Sequence, residues 1–131
     1  MGEHETLEIS PHPSELARMR EFIRTCARRF ELGERERFQA QLVATEAVTN
    51  AIRHGSTDGS AAKPIAVTCN WDDDGFTIEV GDRGRFRHRE PPKELEASGR
   101  GLALIERLTD RFDLDASEEG TTVRMLVSGA A

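Results

Sequence analysis

The stretch EAVTNAIRHG, Glu46 to Gly55, sets a carboxylate and a carboxamide four residues apart, and Glu46 is the only formally charged side chain between Phe38 and Ile52. On a helix, at 100° per residue, Glu46 and Asn50 stand about 40° apart. Val43 and Ala47 flank them on one side, Leu42 and Thr49 on the other. Both therefore fall within the apolar arc rather than on a solvated face. An unpaired buried carboxylate costs several kcal/mol, so it needs a partner or a task. The partner reading is a Glu satisfied by a nearby Arg or by backbone groups. The task reading gives the Asn50 carbonyl oxygen to a hard cation such as Mg²⁺, which fills the rest of its shell with water and substrate phosphates. Glu46, one turn earlier, then orients or deprotonates a nucleophile beside those phosphates.

Such chemistry needs an anion cradle and a recognition site. SGRGLALI, Ser98 to Ile105, places Gly99 and Gly101 ahead of an apolar helix. Bare backbone N–H groups and the positive end of the helix dipole then face an anion. Two spaced glycines are equally an ordinary loop. VGDRG, Val80 to Gly84, ends a strand with Asp82. Its carboxylate can accept a hydrogen bond from an exocyclic amine, and Gly84 lets backbone approach a flat ring. Alone, DRG is also a surface turn.

The elements that must hold these residues read as follows. TLEIS (Thr6–Ser10) alternates as an edge strand, broken by Pro11 and Pro13. Ser14 caps a helix on which Leu16, Met19, Ile23, Cys26 and Phe30 recur at helical spacing, and Gly33 ends it. A second helix runs from about Glu34 to Arg53, with Gly55 at its C′ position and His54 favouring the dipole. IAVTCNW and FTIEVGD form a hairpin across DDDG, where Gly75 supplies the backbone geometry. The charged segment RGRFRHREPPKELEASGRG has no period, and a loop of that length is functional or disordered as a rule. GLALIERLTD is a helix; RFDLDA and TTVRMLV are strands around SEEG. The order β-α-α-β-β-loop-α-β-β predicts an α+β sandwich, helices on one face of a mixed, mainly antiparallel sheet.

Composition narrows the classes. A chain of 131 residues is one ordinary domain with a core, and its net charge of −6 argues against a nucleic-acid partner. Cys26 and Cys69 stand far apart without a CxxC or His cluster, which suits two reduced thiols in a cytoplasmic protein. Neither a signal peptide nor an apolar run long enough for a membrane span is present.

Taken in order, E-x-x-x-N-A-x-x-H-G, D-x-G, S-G-x-G-L-x-L-I and G-T-T-V (Gly120–Val123) resemble the ATP-binding boxes of the GHKL superfamily. The match is to its small bacterial branch, the anti-sigma-factor serine/threonine kinases, and it covers the chain from LEIS to MLV. The resemblance implies a single Bergerat-type domain over residues 1–131, with an ATP lid at about 85–98. It implies Asn50 as the Mg²⁺ ligand, Glu46 as catalytic base and Asp82 at the adenine amine, with Gly84 beside the ring. Gly99 and Gly101 would contact phosphate within the box Ser98, Gly99, Arg100, Gly101 and Leu102, and Arg53 would join the nucleotide site. Thr121, in preference to Thr122, would join Asp82 and a water at the base.

The second box departs from the family's D-x-G-x-G-F. It reads DRGRF (Asp82–Phe86), without the second glycine, and Glu90–Pro92 stiffen the segment that follows. By the same resemblance the partners are a sigma factor and a small antagonist phosphorylated on serine, and a homodimer is the implied assembly. The alternative is a non-catalytic regulator of the same fold that sequesters a partner, nucleotide-stabilised or nucleotide-independent. Arg20, Arg24 and Arg28, with Arg18 nearby, either meet an acidic protein surface or form a solvated face.

Overall fold

The structure, a computed structural model, describes residues 2–56, 64–82, 100–117 and 120–129. Its elements are β1 (Glu3–Ile9), a 3-10 turn (Pro13–Glu15), α1 (Leu16–Arg29), α2 (Glu34–Ser56), β2 (Ile65–Asp72), β3 (Gly75–Asp82), α3 (Arg100–Leu108), β4 (Arg111–Ser117) and β5 (Gly120–Gly129). The five strands lie in the order β1-β2-β3-β5-β4, and each of the four pairings is antiparallel. This is the two-layer α+β sandwich expected of the order of elements.

Period-two alternation divides the sheet into two faces. Ile65, Val67 and Cys69 of β2, Phe76, Ile78 and Val80 of β3, and Val123, Met125 and Val127 of β5 are buried under the helices. The opposite face carries Thr68, Asn70, Thr77, Glu79 and Arg124, none of them buried. α2 is the central helix, packed on β2, β3 and β5 and against both α1 and α3. Ala40, Val43, Ala44, Ala47, Val48 and Ala51 form its buried side. Small residues there let the helix axis approach its neighbours closely. Among the described residues, no helix is long and apolar enough to cross a membrane.

Several boundaries differ from expectation, each for a local reason. β1 starts at Glu3 rather than Thr6. His12, not Ser14, is the cap: its Nδ1 accepts the Ser14 N–H at 3.1 Å, and α1 proper begins at Leu16. Nor does Gly33 end α1. Glu31 N–H donates to Arg28 O at 2.9 Å and Leu32 N–H to Ala27 O at 3.0 Å, a Schellman motif closed by Glu31 at φ 55°. Gly33 instead opens α2. Its carbonyl accepts the Arg37 N–H at 2.9 Å, and Glu36 folds back so closely that a Cβ on Gly33 would lie 2.5 Å from its Oε1. At the other end α2 runs on through Gly55 to Ser56. The β2–β3 hairpin follows the sequence: Gly75 has φ 129°, and Asp72 Oδ1 accepts the Asp74 N–H at 2.8 Å.

The end of α1 is fastened to the sheet. The Phe30 ring packs on Trp71 and, at 5.5 Å, on Phe76; Arg29 lies 5.9 Å over the Trp71 ring and pairs with Glu5. Cys26 and Cys69 are buried free thiols. A hydrogen bond with Cys26 and then burial push the Cys69 thiol far above its ordinary range, so it stays protonated.

Candidate functional site

Of the described residues, three polar side chains are buried: Asn50 at 7% exposure, Asp82 at 8% and Thr121 at 8%. A buried polar group without a partner is unfavourable by a few kcal/mol, so each position requires an account. Asn50 comes from the buried arc of α2, beside Val43 and Ala47. Glu46 lies about 40° farther round that helix. It is half-buried, where the sequence predicted a buried carboxylate, because it stands at the rim of the arc and not within it.

Asp82 and Thr121 meet across the sheet. Asp82 is the last residue of β3 and pairs directly with Thr121 of β5, with Ile65 of β2 on its other side. Directly opposed residues of antiparallel strands have Cβ atoms about 4.5–5.5 Å apart. Both point to the helix side, continuing the rows Phe76–Ile78–Val80 and Val123–Met125–Val127. Thr122, half-buried, faces the other way opposite Gly81. The Thr121 hydroxyl is buried with no hydrogen-bond partner among the described residues. It is a buried donor and acceptor on the residue that pairs with Asp82 across the two strands.

The remaining positions divide. Arg53, one turn past Asn50 on α2, is exposed. Arg100, Gly101 and Leu102 form the first turn of α3, where backbone N–H groups have no intrahelical acceptor. α3 packs against α2 and buries Ile105, which places that terminus on a neighbour of the helix bearing Glu46 and Asn50. Gly84, Ser98, Gly99 and the lid at about 85–98 lie outside the described residues. No described group of three or more His, Cys, Asp or Glu is arranged to hold a metal. An ion bound mainly by phosphates and water needs only one or two protein oxygens, and the buried Asn50 carboxamide fits that demand.

Residues 9–127 match the family described as the histidine kinase-like ATPase domain. The chain belongs to this family. An ATPase domain family implies nucleotide binding. The chain is 35% identical over 97 residues to the anti-sigma F factor of Oceanobacillus iheyensis and 32% identical over 97 residues to that of Bacillus subtilis. Each match covers 66% of this chain and 66% of the relative, just under two thirds of either. In solved structures the fold resembles the RsbU and RsbW domains of a Mycobacterium tuberculosis protein (TM-score 0.70, 20% identity, 98% of this chain and 33% of that one). It also resembles the SiaB–SiaC complex of Pseudomonas aeruginosa (TM-score 0.61, 15% identity, 91% of this chain and 87% of that one). At those identities the two structures speak for the fold alone.

Register was the information that sequence reasoning lacked. Alternation along TTVRMLV distinguishes Thr121 from Thr122, but only the β3–β5 pairing shows that Thr121 opposes Asp82.

Proposed function

We propose that this chain is an ATP-binding, anti-sigma-factor-type protein serine kinase, which binds a sigma factor and phosphorylates a serine of a small antagonist protein. The observation that carries the reading is the buried pair Asp82–Thr121 with an unpartnered hydroxyl, on the sheet face covered by the helix of Glu46 and Asn50. Asp82 accepts a hydrogen bond from the adenine amine, and the Thr121 hydroxyl supplies a neighbouring donor or acceptor, directly or through a water. Asn50 offers its carbonyl oxygen to Mg²⁺, which when bound offsets charge on the phosphate oxygens. Arg100, Gly101 and Leu102 present backbone N–H groups to phosphate at the start of α3, and Ser98 and Gly99 are assigned to the same phosphate box. Gly84 is assigned to the base and Arg53 to the nucleotide. Glu46 accepts the serine hydroxyl proton as the serine oxygen bonds to the γ-phosphorus and the bond from that phosphorus to the β–γ bridging oxygen breaks, with ADP leaving. Its half-buried position suits this role, since an incoming protein serine must reach it.

The chain folds as one domain over residues 1–131, and pairing of two copies is part of the proposal. Among its relatives the names speak of an anti-sigma factor; kinase chemistry is inferred from Glu46. The specific reason to keep a non-catalytic, partner-sequestering reading is DRGRF, which lacks the family's second glycine. One experiment separates the two. Nucleotide-free protein is mixed with Mg-ATP and candidate antagonists, the melting temperature is followed, and the antagonist is examined for phosphoserine by mass spectrometry. A kinase gives a rise in melting temperature and phosphoserine. A rise without phosphoserine selects the sequestering regulator, and the absence of any rise removes the nucleotide reading.

A further inference from the structure

Away from the nucleotide site, the stretch of α2 from Phe38 to Thr45 carries no charged side chain. Phe38 is 66% exposed, the one large hydrophobic side chain so exposed among the described residues. Gln41, Leu42 and Thr45 continue its ridge, each half-buried and uncharged. α1 runs antiparallel beside this ridge across the short turn that joins them. Arg24 Nη2 lies 3.5 Å from Gln41 Oε1, which fixes the register. One turn away in each direction, Arg28 falls level with Phe38 and Arg20 with Thr45. Arg24 is held at 2.6 Å by Glu21, an exposed i,i+3 pair, while Arg20 and Arg28 have no carboxylate in ion-pair range among the described residues.

A row of three cations therefore runs alongside an uncharged ridge that ends in an exposed aromatic ring. The sign is local: Arg18 to Arg37 holds seven arginines against four glutamates, in a chain whose net charge is −6. We propose that the α1–α2 ridge is a docking surface for an acidic amphipathic helix of a partner protein. Carboxylates at i, i+4 and i+8 of that helix meet Arg28, Arg24 and Arg20, and its apolar stripe covers Phe38 and Leu42. A nucleic acid would face the repulsion of the whole chain and has no match for the uncharged ridge. The proposal deepens the partner-binding reading above by naming a surface and the chemistry it selects, and it rests on that reading.

The probe is a labelled synthetic helix of about 18 residues, or about five turns, with glutamates at i, i+4 and i+8 and leucines on the adjoining stripe. Binding is read by fluorescence anisotropy. It should weaken as salt rises, and Phe38→Ala and Arg24→Glu should each lower affinity on the order of tenfold. A peptide with lysines in place of the glutamates should not bind. Thermal unfolding and ATP affinity of both variants are measured in parallel and should match the unaltered protein. No binding of the acidic helix, equal binding of the lysine helix, or equal binding by the two folded variants would each overturn the proposal. Loss of the nucleotide reading would show separately, as failure of ATP to bind while the acidic helix still does.

Discussion

β3 and β5 carry two polar cross-strand pairs three residues apart, on opposite faces of the same two strands. Glu79 opposes Arg124 on the open face, and Asp82 opposes Thr121 beneath the helices. The open-face pair is complete. Arg124 Nη2 lies 3.2 Å from Glu79 Oε1, and Asn70 Nδ2 donates to Glu79 Oε2 at 3.0 Å. The covered pair includes a buried hydroxyl with no partner among the described residues. Backbone, strands and register are shared, so the difference lies in what each pair is for. Water already meets the needs of the outer group, and its members bind one another. The inner group keeps capacity in reserve, at a cost to folding, and the proposed function gives that capacity to a ligand.

If that contrast holds, substitutions on the covered side should change nucleotide binding or phosphotransfer, and those on the open face should leave both unchanged. The largest effect is expected at the rim. Glu46→Gln is nearly isosteric and removes the base, so phosphotransfer to a serine-bearing antagonist should fall by roughly 10²–10⁴, with ATP affinity held or improved. Mass spectrometry of the antagonist measures the first and calorimetry the second. Next comes Asp82→Asn, which exchanges a charged acceptor for a neutral one. Hydrogen bonds to charged groups are worth about 1.5–3 kcal/mol, so ATP affinity should fall about tenfold to a hundredfold. Loss of ATP binding in Glu46→Gln with binding kept in Asp82→Asn would reverse the roles given to the two carboxylates.

Burial at Asn50 was more legible in the sequence than the ends of the elements around it. Asn50 stands out because amphipathic period places a carboxamide among Val43 and Ala47, and burial follows from the wheel alone. Glu46 shows the limit of that method: one step of about 40° separates the buried arc from its rim, and only packing decides where the rim falls. Helix ends were less legible. Gly33 has the residue type of a C-cap, yet Glu31 adopts the left-handed conformation at φ 55° and Gly33 starts the next helix. Propensity favours glycine there by about 1–2 kcal/mol, an amount that the surrounding packing overrides. The Glu79–Arg124–Asn70 group was not visible at all. It depends on which residues of three strands come level, and sequence fixes alternation but not register.

A smaller effect should come from Thr121→Val, which keeps the shape and removes the unpartnered hydroxyl. The unliganded protein should gain stability of up to about 1–3 kcal/mol, because an unsatisfied buried polar group is no longer desolvated. ATP affinity should drop by about two- to tenfold, the worth of one neutral hydrogen bond. Opposite signs for stability and affinity are what distinguish a ligand position from a structural one. A loss of stability with unchanged affinity would make Thr121 a structural residue and dissolve the contrast with the open face.

The smallest effect belongs to the open face itself. Arg124→Ala removes a guanidinium whose side chain is 56% exposed, paired with a Glu79 side chain that is 29% exposed. Exposed ion pairs are worth about 0–1 kcal/mol, and water solvates the carboxylate left behind. Asn70 still donates to Glu79, so the remaining acceptor is not orphaned. Unfolding in urea should therefore move by at most about 1 kcal/mol, and less in high salt, where screening has already weakened the pair. ATP affinity and phosphotransfer should be unchanged, because Arg124 projects from the face opposite Thr121 on the same strand. A fall in ATP affinity comparable to that of Thr121→Val would mean that the two faces are coupled through β5, and the separation of structure from function across the sheet would fail.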